Sequence, residues 1–187
     1  MTQENNVKVI PLKDAPGSKE AWSKPAIVIA LWILVEYFFV TNALQLSSRV
    51  RANALRAFGA KIGKGVILRP RLRVKFPWNL EIGDNSWIGE GVWIHNQDKV
   101  VIGHDVCISQ ETFITTGSHR YRTDMGLTTR PVQIGSGSWI CSRAIVTSGS
   151  KIGESAVIAA GSVVSGDVEP SSILASTAAG INSTRRF

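Results

Sequence analysis

The chain has 187 residues, which fits one domain with an extension, and a formal net charge of +7. Two cysteines, Cys107 and Cys141, provide neither a disulfide framework nor a paired metal motif, so we expect reduced packing residues. Nine basic residues and no acid lie between residues 49 and 75. No recognised nucleic-acid-binding module accompanies them, which argues against a nucleic-acid partner. The basic stretch 49–75 is either a solvated face or a contact for anionic lipid headgroups or a phosphate-bearing substrate.

The first 60 residues precede the repetitive part of the chain. Residues 1–24 are polar and predict a flexible arm, and residues 25–60 predict an apolar, helical segment that ends in a short basic helix. About twenty apolar residues could cross a bilayer, but Glu36 would be costly at its centre. Three interpretations of residues 26–46 stay open: a helix packed on the protein, a helix at the membrane surface, and a membrane span. With no cleavable signal peptide visible, we expect a cytoplasmic protein, either free or attached to the inner face of the cell membrane.

From residue 61 to residue 170 the sequence follows a period of six. Ile or Val stands at positions 134, 140, 146, 152, 158 and 164, and mostly small residues follow each of them four positions later. A helix repeats every 3.6 residues and a strand every two, whereas hexapeptide periods indicate a parallel β-helix. Three hexapeptides form one triangular coil, so the branched residue is predicted to fill the interior and the small residue to fit near a corner.

Ile-Gly pairs that begin at residues 62, 82, 102, 134 and 152 indicate about five coils. Three of the four intervals between these starts are 18 to 20 residues long, but the third is 32. A loop at 119–133 is therefore predicted to be extruded from the third coil, and residues 171–187 are predicted to form a C-terminal tail. Loops on a rigid scaffold are where functional residues concentrate, so the loop is the first place to look for chemistry.

Five stretches resemble a known family: 58–66, 77–89, 106–110, 116–119 and 158–164. Over about residues 50–170 the chain resembles the hexapeptide-repeat acyltransferases, and among them the colanic acid biosynthesis type of O-acetyltransferase. The resemblance implies an all-β fold, a single-stranded left-handed parallel β-helix with an N-terminal α-helical extension. It also implies a homotrimer that uses acetyl-coenzyme A as acetyl donor, no metal, and a sugar as acceptor. A lipid-linked saccharide as acceptor is a separate hypothesis, which would explain both the apolar segment and the basic stretch.

The predicted chemistry is direct acetyl transfer from a thioester to a hydroxyl, which requires a base for the hydroxyl proton. His119 matches the family's catalytic histidine and is the predicted general base. Asn96 is the best match by position for the group that orients it, with Glu111 a lesser candidate and a plain corner residue as the alternative for Asn96. His95 and His104 are lesser candidates for a direct role.

The resemblance also implies residues that hold the two substrates. Trp139, Ser142, Ala160 and Gly161 match positions that line the donor groove in relatives, and simple repeat packing is the alternative for each. Ser165 stands where many relatives carry threonine followed by lysine, so the predicted compensation for the missing lysine falls to the tail. On the acceptor side, the residues predicted to contact the sugar are Trp93, Arg120 and Tyr121. For the tail, the candidates are Arg185 and Arg186.

Other functions remain open at this stage. A non-catalytic scaffold with a degenerate donor site would fit the missing lysine, and acetylation of serine, an antibiotic or another small hydroxyl acceptor would fit the same fold. A zinc carbonic anhydrase needs three converging imidazoles. This chain has three histidines, His95, His104 and His119, without the close pair that such a site uses.

Overall fold

A computed structural model describes residues 9–17 and 21–175. Most of the chain from residue 61 onward forms short strands joined by tight corners, and the strands of successive coils pair in parallel. Five full coils and two strands of a sixth are described, against about five predicted. The C-terminal tail beyond residue 175, including Arg185 and Arg186, lies outside the described residues, as do residues 1–8 and 18–20 of the predicted arm.

Three parallel sheets form the sides of the solenoid. The first sheet contains β1 (Lys61–Ile62), β4 (Leu80–Ile82), β7 (Val100–Ile102), β12 (Val132–Ile134), β15 (Lys151–Ile152) and β18 (Asp167–Val168). The second contains β2 (Ile67–Leu68), β5 (Trp87–Ile88), β8 (Cys107–Ile108), β13 (Trp139–Ile140), β16 (Val157–Ile158) and β19 (Ile173–Leu174). The third contains β3 (Arg73–Val74), β6 (Trp93–His95), β9 (Phe113–Thr115), β14 (Ile145–Val146) and β17 (Val163–Val164).

The interior of the solenoid is a column of branched side chains. The Ile and Val residues of the six-residue period are all buried, as the repeat predicted, and they stack on their counterparts in the coils before and after. The small residues four positions later, such as Ser138, Ala144 and Ala156, are buried as well. Each coil buries its apolar side chains against those of the neighbouring coils. This contact between coils stabilises the thin solenoid.

Tight stacking between coils accounts for the Ile-Gly pairs. A Cβ atom on Gly83 would lie 2.5 Å from the backbone carbon of Gly103 and 2.5 Å from the backbone nitrogen of His104. Any side chain at this position would therefore collide with the backbone of the next coil. Many of the corners use a residue with positive φ, as at Asn85 and Arg143, where the chain turns from one sheet to the next.

Two helices close the start of the solenoid. Helix α1 (Ala26–Val35) continues into a π-helical segment, Glu36–Thr41, and is followed by α2 (Ser48–Ala57). We call these three elements the helical cap. The first coil has no preceding coil to pair with, so its backbone groups would be exposed, and a free strand edge is prone to unwanted pairing.

Side chains of the helical cap provide the missing hydrogen bonds. Trp32 Nε1 donates to the carbonyl of Val74 (2.9 Å), and the Val74 amide donates to Glu36 Oε1 (2.6 Å). The Leu68 amide donates to Ser48 Oγ (2.8 Å). Burial of Glu36 raises the pKa of its carboxyl group above the usual value. The acid that interrupts the apolar run thus accepts a hydrogen bond from a backbone amide at the free edge of the first coil.

The helical cap decides part of the question about residues 26–46. The buried side of α1 packs on the first coil through Trp32, and Ile29 on the same side is buried too, which supports the interpretation of a helix packed on the protein. Within residues 9–17 and 21–175, no helix is both long enough and apolar enough to cross a membrane. The opposite side of α1 is exposed.

Candidate active site

The predicted loop is a β-hairpin. Strand β10 (Gly117–His119) pairs antiparallel with β11 (Leu127–Thr129), and His119 lies opposite Leu127. The hairpin leaves the solenoid directly after β9 and returns just before β12, so it projects from the corner between the third and fourth coils, whose strands still pair on all three sides. Its base is held by the Arg130 amide, which donates to the carbonyl of Thr116 (3.0 Å). His119 is thereby presented on an exposed projection from a rigid scaffold.

The backbone of the hairpin fixes the tautomer of His119. Nδ1 of its imidazole lies 2.8 Å from the carbonyl oxygen of Met125. A carbonyl oxygen can only accept, so Nδ1 must carry the proton and donate it. The other nitrogen, Nε2, then carries the lone pair that a general base needs.

An ion pair closes the tip of the hairpin around this contact. The guanidinium of Arg120 donates from Nε and Nη2 to the two carboxylate oxygens of Asp124, both at 2.8 Å. Asp124 Oδ1 also accepts from the Gly126 amide (2.9 Å), and these bonds hold the pKa of the Asp124 carboxyl well below its usual range. The turn that brings the Met125 carbonyl to His119 is therefore held by the bonds of Asp124 to Arg120 before it and to Gly126 after it. Tyr121, the next residue after Arg120, is exposed at the same tip.

Asn96 is placed differently from the prediction. Its side chain is buried, its Nδ2 donates to the carbonyl of Phe76 (2.7 Å), and its Oδ1 accepts from the Phe76 amide (3.0 Å). Both ends of the amide are thus used to join two successive coils, and the group that contacts the His119 ring is the Met125 carbonyl. These contacts are those expected of the alternative, a corner residue. Glu111, the lesser candidate, is paired with Arg143 through an Nε–Oε2 distance of 2.6 Å.

An aromatic cluster lies on the outer side of the third sheet, one coil before the hairpin. Trp93 contacts Phe113, with ring centroids 4.9 Å apart, and Arg73 Cζ lies 3.9 Å from the centroid of the Trp93 ring. His95 packs edge-on against Trp93 (5.6 Å). Burial, followed by the charges of Lys75 and Arg73, lowers the pKa of His95, which favours the neutral imidazole. Trp93 therefore lies on the outer side of the sheet and is half-buried within this cluster.

The residues predicted to line the donor groove fall largely on one corner of the solenoid. Ser142 Oγ donates to Gln110 Oε1 (3.1 Å), and the Gly161 amide donates to the carbonyl of Ser142 (3.0 Å), so Gln110, Ser142 and Ala160–Gly161 come from three successive coils. Together with Glu111 and Arg143 they line an open groove. A Cβ atom on Gly161 would meet nothing within 4 Å, so the small residues keep the floor open.

Trp139 and Ser165 occupy different positions relative to this groove. Trp139 projects from β13, three residues before Ser142, and its Nε1 donates to Ser109 Oγ (2.9 Å), which holds the indole against the outer side of the second sheet. Ser165 is exposed after β17, at the next corner along the chain, and is not among the residues that line the groove. Gln110, Asp124 and Met125 were not predicted from the sequence.

Metal-binding groups were also considered. Across residues 9–17 and 21–175, no cluster of three or more His, Cys, Asp or Glu side chains is arranged to hold a metal ion. His104 Nδ1 lies 2.7 Å from Asp105 Oδ2, and His119 contacts Met125, so these two histidines are engaged locally.

Comparisons with known proteins agree with this architecture. Residues 131–166 match the family model described as bacterial transferase hexapeptide (six repeats). A protein of Escherichia coli (strain K12), provisionally named colanic acid biosynthesis acetyltransferase WcaF, is 36% identical over 140 residues, which are 74% of this chain and 77% of that protein. The galactoside O-acetyltransferase of the same strain is 29% identical over 129 residues, 67% of this chain and 64% of that enzyme.

The solved structures share the fold. The hexapeptide-repeat acetyltransferase VCA0836 from Vibrio cholerae superimposes with a TM-score of 0.72 at 24% identity, covering 87% of this chain and 90% of that one. Its structure has also been determined in complex with acetyl-coenzyme A. The predicted left-handed parallel β-helix is confirmed. With the repeat, the hairpin and the WcaF similarity together, this chain belongs to the hexapeptide-repeat family of acetyltransferases.

Proposed function

We propose that the chain is an O-acetyltransferase that moves the acetyl group of acetyl-coenzyme A directly to a hydroxyl of a sugar, with His119 as general base. The observation that carries the proposal is the Nδ1–H to Met125 carbonyl bond, which leaves the His119 Nε2 lone pair for the acceptor hydroxyl. In the reaction, Nε2 takes the hydroxyl proton while the oxygen attacks the thioester carbonyl carbon. The thiolate of coenzyme A then leaves and takes the proton from the imidazolium. No acyl-enzyme is formed.

The donor is assigned to the groove at the corner of Ser142 and Ala160. Acetyl-coenzyme A is bound in the related VCA0836 structure, and the open floor at Gly161 would let backbone groups approach the pantetheine arm. Trp139 would form a wall beside the thioester. Ser165 and Arg185 remain the proposed contacts for the distal part of coenzyme A, without support from the geometry of the groove.

The acceptor is proposed to be a sugar of an exopolysaccharide or capsule precursor, either free or lipid-linked. The names of WcaF and of the galactoside enzyme support a saccharide. Tyr121 and Arg120 stand at the hairpin tip beside His119, and Trp93 offers an aromatic surface one coil earlier, so these residues are the proposed acceptor contacts. A cytoplasmic location follows from the proposed donor, since acetyl-coenzyme A is made there.

We further propose a homotrimer. Parallel solenoids leave flat outer sides, and here Trp87, Trp139, Ile145 and Val163 expose apolar surface on them. Contact between copies would cover these side chains. Sedimentation equilibrium of the purified chain measures the assembly directly, and a monomer at micromolar concentration would contradict it.

The test of the chemistry compares two histidine variants. Coenzyme A release from acetyl-coenzyme A is measured with a panel of sugar and lipid-linked acceptors for the native chain, His119→Ala and His104→Ala. His104 is exposed and paired with Asp105, away from the hairpin, so it serves as the matched control. Loss of a general base is expected to lower kcat by about 10²–10⁴-fold in His119→Ala, while His104→Ala stays near the native rate.

Donor binding separates the possible outcomes. His119→Ala is expected to bind acetyl-coenzyme A as the native chain does in calorimetry, because the groove at Ser142 does not include His119. Acceptor-dependent release that survives in His119→Ala would refute the proposed base, and His95 would be the next variant. Absence of both donor binding and release in the native chain would favour the non-catalytic scaffold.

A further inference from the structure

The outward face of helix α1 is as apolar as the face packed on the solenoid. Ile27, Leu31, Leu34 and Phe38 follow one another at spacings of four, three and four residues, so they form one stripe along the helix. Their side chains are 66%, 50%, 57% and 54% exposed. Ile29 and Trp32 lie on the opposite, buried side. We call the four exposed residues the outer stripe.

A helix that is apolar on all sides is normally buried on all sides. Here the inner side is covered by the first coil, and Leu44 and Leu46, just beyond the π-helical segment, are exposed as well. Exposed apolar surface of this extent indicates an interaction site. The question is which partner covers it.

A membrane span does not fit this helix. From residue 26 to residue 41 the helical run covers 16 residues, which corresponds to about 24 Å, less than the roughly 30 Å of a hydrocarbon core. The same run is fixed to the first coil through the bonds of Trp32 and Glu36 to Val74. The outer stripe can therefore meet only a surface.

The net charge of this part of the chain indicates which kind of surface the outer stripe contacts. Residues 21–80 contain ten basic residues and one acid, Glu36. The Glu36 carboxylate is turned inward to the Val74 amide. Glu81 and Glu90 of the second coil pair with Lys61 (2.9 Å) and Arg71 (3.2 Å) and offset those two charges. Lys24, Arg49, Lys64 and Arg69 are exposed on the helical cap and the first coil. The basic surfaces of two copies of the chain would repel each other, whereas an anionic surface would attract the basic surface of one copy.

We propose that the helical cap rests on an anionic phospholipid bilayer, with the outer stripe at the boundary between headgroups and acyl chains and the basic residues on the lipid phosphates. Amphipathic surfaces of this kind combine apolar burial with attraction to anionic lipid. The contact is independent of the proposed chemistry, because the helical cap includes none of the residues assigned to donor, acceptor or base.

The test is co-sedimentation of the full chain with vesicles. The native chain is expected to sediment with phosphatidylcholine–phosphatidylglycerol vesicles and to remain largely in the supernatant with phosphatidylcholine alone. Leu31 and Leu34 are half-exposed in the protein, and their exposed apolar area would be buried in the bilayer. Leu31→Gln/Leu34→Gln removes this apolar area and is expected to lower the partition coefficient at least about ten-fold. Arg49→Gln/Arg69→Gln is expected to lower it by a similar factor at low salt. Ile173→Gln, an exposed residue of the last described strand, is the control and is expected to bind normally.

Three results would overturn the proposal. They are failure of the native chain to sediment with the anionic vesicles, sedimentation of Leu31→Gln/Leu34→Gln equal to that of Ile173→Gln, and a smaller assembly of the double leucine variant in sedimentation equilibrium without lipid. The last result would identify the outer stripe as an interface between copies of the chain. Circular dichroism and the melting temperature of each variant establish that it is folded, so that a loss of binding is due to the surface itself.

Discussion

Arg51 is expected to be among the most important side chains for the stability of the helical cap. It is fully buried in α2, and its guanidinium donates only to backbone carbonyls: from Nε to Val40 (3.1 Å), from Nη1 to Leu68 (3.5 Å), and from Nη2 to Asn42 (3.4 Å) and Gln45. These carbonyls belong to the π-helical segment, the turn after it and the first coil. One side chain therefore joins three parts of the molecule.

The expected cost of Arg51→Met follows from these bonds. The two bonds at about 3.4 and 3.5 Å are at the limit of hydrogen bonding, so we count only the bonds to Val40 and Gln45. Hydrogen bonds to a charged group contribute about 1.5–3 kcal/mol each. Removing a buried charge returns part of this, because its desolvation no longer opposes folding. We expect the free energy of unfolding to fall by about 2–4 kcal/mol, which lowers Tm by roughly 5–15 °C for a chain of this size.

The assay is urea and thermal denaturation at a fixed protein concentration, with Arg49→Met as the matched control. Arg49 lies two residues earlier on the same helix and is exposed, so its replacement should change the free energy of unfolding by less than about 0.5 kcal/mol. Equal effects of Arg51→Met and Arg49→Met would refute the reasoning. Arg51→Lys should be intermediate, because an ammonium group keeps the charge but cannot reach both carbonyls in the same geometry.

Three further predictions concern the solenoid and its titrating groups. Gly83→Ala is expected to lower the free energy of unfolding by about 1–3 kcal/mol, since its Cβ would meet the next coil's backbone, while Gly17→Ala, which meets nothing within 4 Å, should be neutral. Burial raises the folded pKa of Glu36, so its contribution to stability is present below about pH 4.5 and is lost as the pH rises; Glu36→Gln should therefore melt higher than the native chain at neutral pH and alike at acid pH. Burial lowers the folded pKa of His95, so its contribution to the free energy of unfolding is present above about pH 6.5 and is lost as the pH falls. The decrease in Tm on acidification should therefore be smaller for His95→Gln than for the native chain. An equal decrease in both would contradict this reasoning.

The solenoid could be predicted because its information is local. A branched residue every six positions, with a small residue four positions later, specifies both the interior and the corners without knowledge of distant contacts. The hairpin could be located for the same reason, since 32 residues between two Ile-Gly pairs leave a surplus of residues that the coil cannot absorb. Its antiparallel pairing was not predicted, because Gly117–His119 and Leu127–Thr129 lack a distinctive strand pattern.

The environment of His119 was predicted less completely. The Met125 carbonyl is a backbone group, which every residue type has, so the sequence gives no signal for it. The prediction therefore considered only side chains and favoured Asn96. The four-residue interval between Arg120 and Asp124 is a pattern that could have indicated the ion pair. For Asn96, a polar residue at a coil corner fits equally well a contact within the stack, and the two amide bonds to Phe76 favour that alternative.

Glu36 shows how a residue that contradicts one interpretation can explain another. At the level of sequence it argued against a membrane span without indicating what an acid does in an apolar run. In the structure it accepts the Val74 amide at the free edge of the first coil, a bond that an apolar side chain could not provide. Because this acid is turned inward, the exposed side chains of the outer stripe are all apolar. The same residue thus closes the solenoid and leaves the opposite face of α1 suited to a lipid surface.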